Sequence, residues 1–457
     1  MRACLKWFGC LVALSGLVAC SSSSDSAATS PASWPSDETG DREPPLPSGI
    51  GGWTSSPPMS SAGSSAAGGP ALSGGGGTAG SGTPVGSGSG VQSGQITAAD
   101  YSDNLNFELF QSYLQKLPSN DTPASLQSAD RVLVKVTNDA GDPIASADVS
   151  IAGGGASVVV HTGGDGTALF FPNHDGASQG GPFSATVSPP GGVPFAASGL
   201  AGSEWSIVVP GALTSSNPGL DLAFVIDTTG SMSDEITYLG TEIADIAGRV
   251  TSAFGQASIR FGLVVYRDVG DAYVTRSFNF TSSLPEFVST LHAQSADGGG
   301  DYEEAAEKGL EAVNALSWRS GDVRHMAFLV ADAPPHDQDA AAFLHQADVS
   351  RLAGVKIYPV ASSGVDSKTE YLMRTAAEWT NARYVFLTDD SGIGGSHAEP
   401  TIPCYEVQHL NRLIARIVVG ELSGKLAPPD PTDVVRTVGD PRDGVCALAD
   451  GKSAYLY

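Results

Sequence analysis

Basic residues are scarce in this sequence: 24 Lys plus Arg stand against 49 Asp plus Glu in 457 residues, a formal net charge of −25. A surface that negative repels phosphate backbones, so nucleic acid is disfavoured as a partner. Charge of either sign is thin, at 16% of the chain. Cysteine is also rare, and five are too few for a disulfide scaffold. No apolar run reaches the roughly 18 residues that a membrane-spanning helix needs. What the chain does have is 41% hydrophobic residues, enough for real cores, and a length that suggests two or three folded units. It also has 56 Gly and 29 Pro, about 19% of the chain against a usual ~12%. Part of it is therefore expected not to be globular.

The first residues read as an address. Arg2 and Lys6 precede a short apolar run, Trp7 to Val18, which ends in Leu17-Val18-Ala19-Cys20 and breaks into four serines. This resembles the bacterial lipoprotein signal, with residues 1–19 removed. The resemblance implies lipid on Cys20, membrane attachment through that lipid alone and, since Ser21 is not Asp, transport to the outer membrane. The side of that membrane on which the protein sits is left open. Residues 20–97 follow; from Ser21 to Thr97 there are 20 Ser, 17 Gly and 9 Pro. Such a segment cannot bury enough apolar surface to offset its ordering entropy, so a disordered tether is expected.

Residues 98–128 are read as a short helix. Leu105, Phe107, Leu109, Phe110, Tyr113, Leu114 and Leu117 lie at helical spacing within 100–117, and Pro118 stops the run. From Arg131 the period changes to that of strands separated by Gly, Asp and Pro turns, which predicts a small β-sandwich over 129–213. The layout around Asn138-Asp139-Ala140-Gly141 and Gly163-Gly164-Asp165-Gly166-Thr167 resembles carboxypeptidase-regulatory-like or bacterial immunoglobulin-like modules. That resemblance implies a spacer or binding module.

Beyond residue 218 nearly continuous apolar strands alternate with helical stretches, which predicts an α/β fold with a doubly wound, mostly parallel sheet over 218–421. The last of these helices is read over 405–419, and 422–457 as a C-terminal tail. Ligands of such folds bind at the carboxyl ends of the strands. At the first strand end stands Asp227-Thr228-Thr229-Gly230-Ser231. One carboxylate and two hydroxyls on a strand-to-helix turn suit a hard cation such as Mg²⁺. This stretch resembles the von Willebrand factor type A domain, whose metal-ion-dependent adhesion site begins Asp-x-Ser-x-Ser; Thr229 replaces the first Ser and keeps its hydroxyl. Gly298-Gly299-Gly300-Asp301 resembles the later loop of bacterial members, and Asp332 the strand-end acid. The resemblance implies that Asp227, Thr229, Ser231, Asp301 and Asp332 hold Mg²⁺ (or Mn²⁺ or Ca²⁺) and that a partner protein completes the coordination with a carboxylate. Asp301 at a Thr position adds negative charge, which strengthens cation binding and weakens attraction for an acidic ligand.

Other candidates carry less. His325, His336 and Asp337 near Asp332 suggest a second metal, but two His without a third placed ligand are more often surface residues. Asp268 and Asp271 read as solvated loop acids, and 387–392 as a loop without nameable chemistry. No nucleophile elbow with a matched His surrounds Ser231, which argues against a hydrolase. Cys404 and Cys446 are either a disulfide or two buried thiols. The sequence therefore points to a non-enzymatic, cation-dependent binding lipoprotein. A metal-dependent phosphoester hydrolase on the same acids, or a structural envelope protein with a stabilising metal, are the alternatives.

Overall fold

The computed structural model describes residues 91–457 apart from 178–179, 215–216 and 255–257. The signal peptide, Cys20 and the tether up to residue 90 lie outside the described residues. Among the described residues no helix is long and apolar enough to cross a membrane.

Strand β1 (Thr97–Tyr101) is buried along its whole length and precedes helix α1 (Phe107–Leu114). The helix expected over 100–117 is thus confined to Phe107–Leu114. Asp100 and Tyr101 belong to a strand of the central sheet, and the Asp100 carboxylate is paired with Arg383 and Arg416. Just before β1, the backbone N–H groups of Gly94, Gln95 and Ile96 donate to the Glu242 carboxylate at 2.9, 2.8 and 3.2 Å.

Seven strands then build two facing sheets: β2 (Val132–Thr137), β3 (Asp148–Gly153), β4 (Ala156–His161), β5 (Thr167–Phe170), β6 (Phe183–Ser188), β7 (Phe195–Leu200) and β8 (Glu204–Val208). Their orders are β5-β2-β8 and β4-β3-β6-β7. Alternate residues of β2, β3 and β6 point inward, as the two-residue period of a half-buried strand requires. Phe170, Phe183 and Trp205 cluster in that core.

The α/β part begins with β9 (Gly219–Asp227) and α2 (Ile236–Ala253). It continues through β10 (Ile259–Tyr266), β11 (Thr275–Thr281), α3 (Leu284–His292), α4 (Ala306–Asn314) and β12 (Val323–Ala331). Then come α5 (Ala340–Leu352), β13 (Val355–Ala361), α6 (Ser367–Trp379) and β14 (Tyr384–Thr388). The chain closes with β15 (Tyr405–His409), α7 (Leu410–Ser423), β16 (Val434–Val438) and a hairpin of β17 (Val445–Ala447) and β18 (Ser453–Tyr455). The central sheet has nine strands in the order β11-β10-β9-β12-β13-β14-β1-β15-β16. Strands β10, β9, β12, β13 and β14 run parallel, while β1 lies antiparallel between β14 and β15. Helices cover both faces, which is why β9 is buried almost end to end. The single acid inside that strand, Asp221, is neutralised by Arg260 and Arg319.

Two further expectations need correction. The stretch 405–419 is not one helix: Tyr405–His409 alternates as a strand and α7 starts only at Leu410. Residues 422–457 are not a tail, since β16 forms the edge of the central sheet and Cys446 is joined to Cys404 in a disulfide.

Candidate metal site at the carboxyl edge of the sheet

Strands β9 and β12 are neighbours in parallel register, with Ile226 opposite Val330. Their carboxyl ends therefore bring Asp227 and Asp332 to the same edge of the sheet. Asp227, Thr228 and Thr229 are completely buried. The Asp227 Oδ1 atom accepts from the Thr229 backbone N–H at 2.9 Å and from the Thr229 hydroxyl at 2.7 Å. The Ser231 hydroxyl lies 3.1 Å from that of Thr229. One carboxylate and two hydroxyls thus converge on one turn.

The glycine loop forms a wall of this site. Gly230 N–H donates to Gly298 O at 3.0 Å, and Asp297 N–H to Thr228 O at 3.1 Å. Gly298 and Gly299 both have positive φ. A Cβ on Gly298 would fall 2.5 Å from the Asp271 carboxylate, and one on Gly299 would fall 2.8 Å from Glu304. Only glycine lets the loop press this closely on two acids.

Glu304, which sequence reasoning missed, is the third buried acid here. It is 2% exposed, and its backbone N–H donates to Pro334 O at 3.0 Å, tying the glycine loop to the loop after Asp332. Its sequence signal is its place three residues after Asp301 in the Gly-Gly-Gly-Asp-x-x-Glu stretch, just before the buried pair Ala305-Ala306.

The electrostatics follow from this crowding. Burial, and then the neighbouring Asp332 charge, push Asp227 up to about 7 against the opposing pull of its Thr229 bonds. Burial, and then the charges of Asp227, Asp268, Asp332 and Asp271, push Glu304 up to about 9. Tyr266 is buried among the same groups and is held well above its ordinary value by burial and then by the Asp227 and Asp332 charges. Asp227 Oδ2 and Glu304 Oε2 are buried without a hydrogen bond of good geometry. Carboxylates left this way in a dry site are costly unless a cation joins them. An oxygen-rich set of carboxylates and hydroxyls fits a hard divalent ion.

Asp301 is placed differently. It is exposed, and its carboxylate gathers with that of Asp268 and the His336 imidazole. The glycine turn carries Asp301 to the rim and brings Glu304 inward. Asp268 is not a solvated loop acid: it is 8% exposed and its Oδ1 lies 3.0 Å from His336 Nε2. Of the weaker candidates, His325 sits near the opposite end of β12, bonded to Arg319 O at 2.7 Å. Asp337 pairs with Lys368. Asp389, in the loop that carried no nameable chemistry, accepts from His397, whose other ring nitrogen lies 3.2 Å from Glu235.

Residues 221–395 match the family model of the von Willebrand factor type A domain, and this part of the chain is such a domain. The alpha-protein kinase vwkA of Dictyostelium discoideum is 31% identical over 118 residues, which are 26% of this chain and 19% of that protein. A putative ariadne-like RING finger protein, R811, of Acanthamoeba polyphaga mimivirus is 30% identical over 139 residues, 30% of this chain and 13% of that one. The matches thus span less than a fifth of either relative. Among solved structures, the conserved hypothetical protein BatB of Bacteroides thetaiotaomicron aligns with 44% of this chain and 98% of its own at 11% identity, TM-score 0.32. Proximal thread matrix protein 1 of the mussel byssus, with a zinc-occupied MIDAS motif, aligns with 36% of this chain and 41% of its own at 17% identity, TM-score 0.29.

Proposed function

We propose that the protein is a non-enzymatic binding protein of the cell envelope that engages a protein partner through a divalent cation. The cation, Mg²⁺ with Mn²⁺ or Ca²⁺ as substitutes, is held by Asp227, Thr229, Ser231 and Asp332. Glu304 takes the inner place that the sequence pattern gave to Asp301. The observation that carries this reading is the pair of buried acids, Asp227 at the end of β9 and Glu304 on the glycine loop, the latter with Oε2 lacking a hydrogen-bond partner. Two hydroxyls and three carboxylates supply five oxygens to such an ion and leave room for one further oxygen ligand, which an acidic side chain of the partner supplies. In this reading the ion acts as a bridge between the two proteins.

In this reading the chain is processed before Cys20 and reaches the outer membrane on lipid attached there. The Gly/Ser-rich tether holds the binding edge away from the membrane. Envelope proteins captured by the immobilised protein in Mg²⁺ are expected to elute with chelator and to be absent with Asp227→Ala. Capture indifferent to both chelator and substitution overturns the reading. Cys20→Ala is expected to leave an unacylated precursor.

A further inference from the structure

We propose that Asp268, Asp301 and His336 form a second cation site, beside the first and chemically different from it, that takes Zn²⁺ or a similar transition ion. One ligand atom from each of the three lies within 4.8 Å of the other two. His336 Nε2 and Asp268 Oδ1 are 3.0 Å apart. Two ligands of a tetrahedral zinc ion about 2.1 Å from the metal are themselves about 3.4 Å apart, so small side-chain rotations close the set. The ligands come from three separate loops, those after β10 and β12 and the one before α4, so they are assembled only by the folded sheet.

The chemistry favours a borderline ion over Mg²⁺. The first site offers only oxygen, whereas an imidazole nitrogen with two carboxylates suits Zn²⁺. Two carboxylates and a neutral imidazole carry two negative charges, which one dication balances. Lys368 does not fill that role, because it is engaged by Glu303 and Asp337 at 2.9 Å each. Asp268 is almost fully buried while Asp301 is exposed; the site therefore has a fixed base and an open side where water completes the coordination.

The surrounding hydrogen bonds tie the set to the glycine loop. Asp271 accepts from the Asp268 and Gly299 backbone N–H groups at 3.2 and 2.9 Å. A dication on Asp268 and Asp301 offsets the negative charge gathered there and fixes the loop that walls the first site.

The test is zinc binding by the purified protein in excess Mg²⁺, measured by equilibrium dialysis with elemental analysis. One Zn²⁺ per chain is expected. His336→Ala and Asp301→Asn are each expected to weaken it at least tenfold, while Asp227→Ala, confined to the first site, leaves it in place. Asp301 is exposed, so its variant remains folded and keeps the experiment decisive if His336→Ala is unstable. Co²⁺ in place of Zn²⁺ is expected to show a visible d–d spectrum that His336→Ala abolishes. Unchanged zinc affinity in Asp301→Asn, or loss of the zinc equivalent in Asp227→Ala, overturns the proposal.

Discussion

Phe171 and Trp379 stack face to face, ring centroids 3.7 Å apart and planes 5° from parallel. One ring belongs to the β module and the other ends α6 of the α/β domain, and both residues are fully buried. Arg351 runs alongside and pairs with Asp175 and Asp348, while the Trp379 indole N–H donates to Asp348 at 2.9 Å. The module is therefore joined to the domain by a core rather than by a hinge. Calorimetry is expected to show one melting transition for both. Trp379→Ala removes the stack and the indole bond and is expected to cost about 3–5 kcal/mol. Two well-separated transitions in the unaltered protein would contradict this.

A second contact between the same parts is pH-sensitive. Glu378 is completely buried, with neither carboxylate oxygen hydrogen-bonded and Arg131 3.8 Å away. Burial pushes it up to about 8, and Asp103 adds to the shift against the pull of Arg131. Because the folded-state value lies above the unfolded one, folding favours the protonated form, and stability falls as pH rises from about 4.5 through 8. Glu378→Gln is expected to be stabilising by a few kcal/mol, on the order of 2–4, at pH 8. The advantage should fade toward pH 5, as read by denaturant midpoints.

The Cys404–Cys446 disulfide closes a loop with a sequence separation of 42. The loop contains β15, α7 and β16, so it staples the edge of the central sheet. On loop-closure entropy the bond contributes about 4 kcal/mol. Cys446→Ser, or reduction under native conditions, is expected to lower the melting temperature by several degrees without abolishing the fold.

Cation binding and protons are coupled at the first site. Without a cation, burial and the neighbouring carboxylates push Asp227 up to about 7 and Glu304 up to about 9. Binding needs the carboxylates ionised, so Mg²⁺ affinity is expected to rise steeply from pH 6 to 8 and protons to be released. Without cation the same raised values mean that stability declines as pH climbs toward 9. Saturating Mg²⁺ is expected to remove that decline. Calorimetry in buffers of different ionisation enthalpy counts the protons, and none released at pH 7 would contradict the assignment.

Strand β9 and the Asp227–Ser231 turn are legible in sequence because both depend on local pattern: an apolar run buried on both faces, followed by an acid and two hydroxyls at fixed spacing. β1 is not. Its five residues, Thr97 to Tyr101, follow a Gly/Ser-rich stretch and carry an acid in mid-strand. Only the distant Arg383 and Arg416 make that acid tolerable. At Tyr405–His409 a short strand runs directly into a helix, and the helical period of 410–423 absorbs it in the sequence. Asp301 and Glu304 are a subtler case. The Gly-Gly-Gly-Asp-x-x-Glu pattern shows that an acid enters the site, but which of the two turns inward depends on the positive φ of Gly298 and Gly299 and on the Asp271 carboxylate beneath them.

The most direct measurement is calorimetric titration of Mg²⁺ into the purified protein at pH 7.5, beside the same titration of Asp227→Ala. One equivalent bound by the first, with affinity lost at least tenfold in the second while it still melts cooperatively without cation, is the predicted result. Equal affinity in both, or no binding to either, would contradict the account.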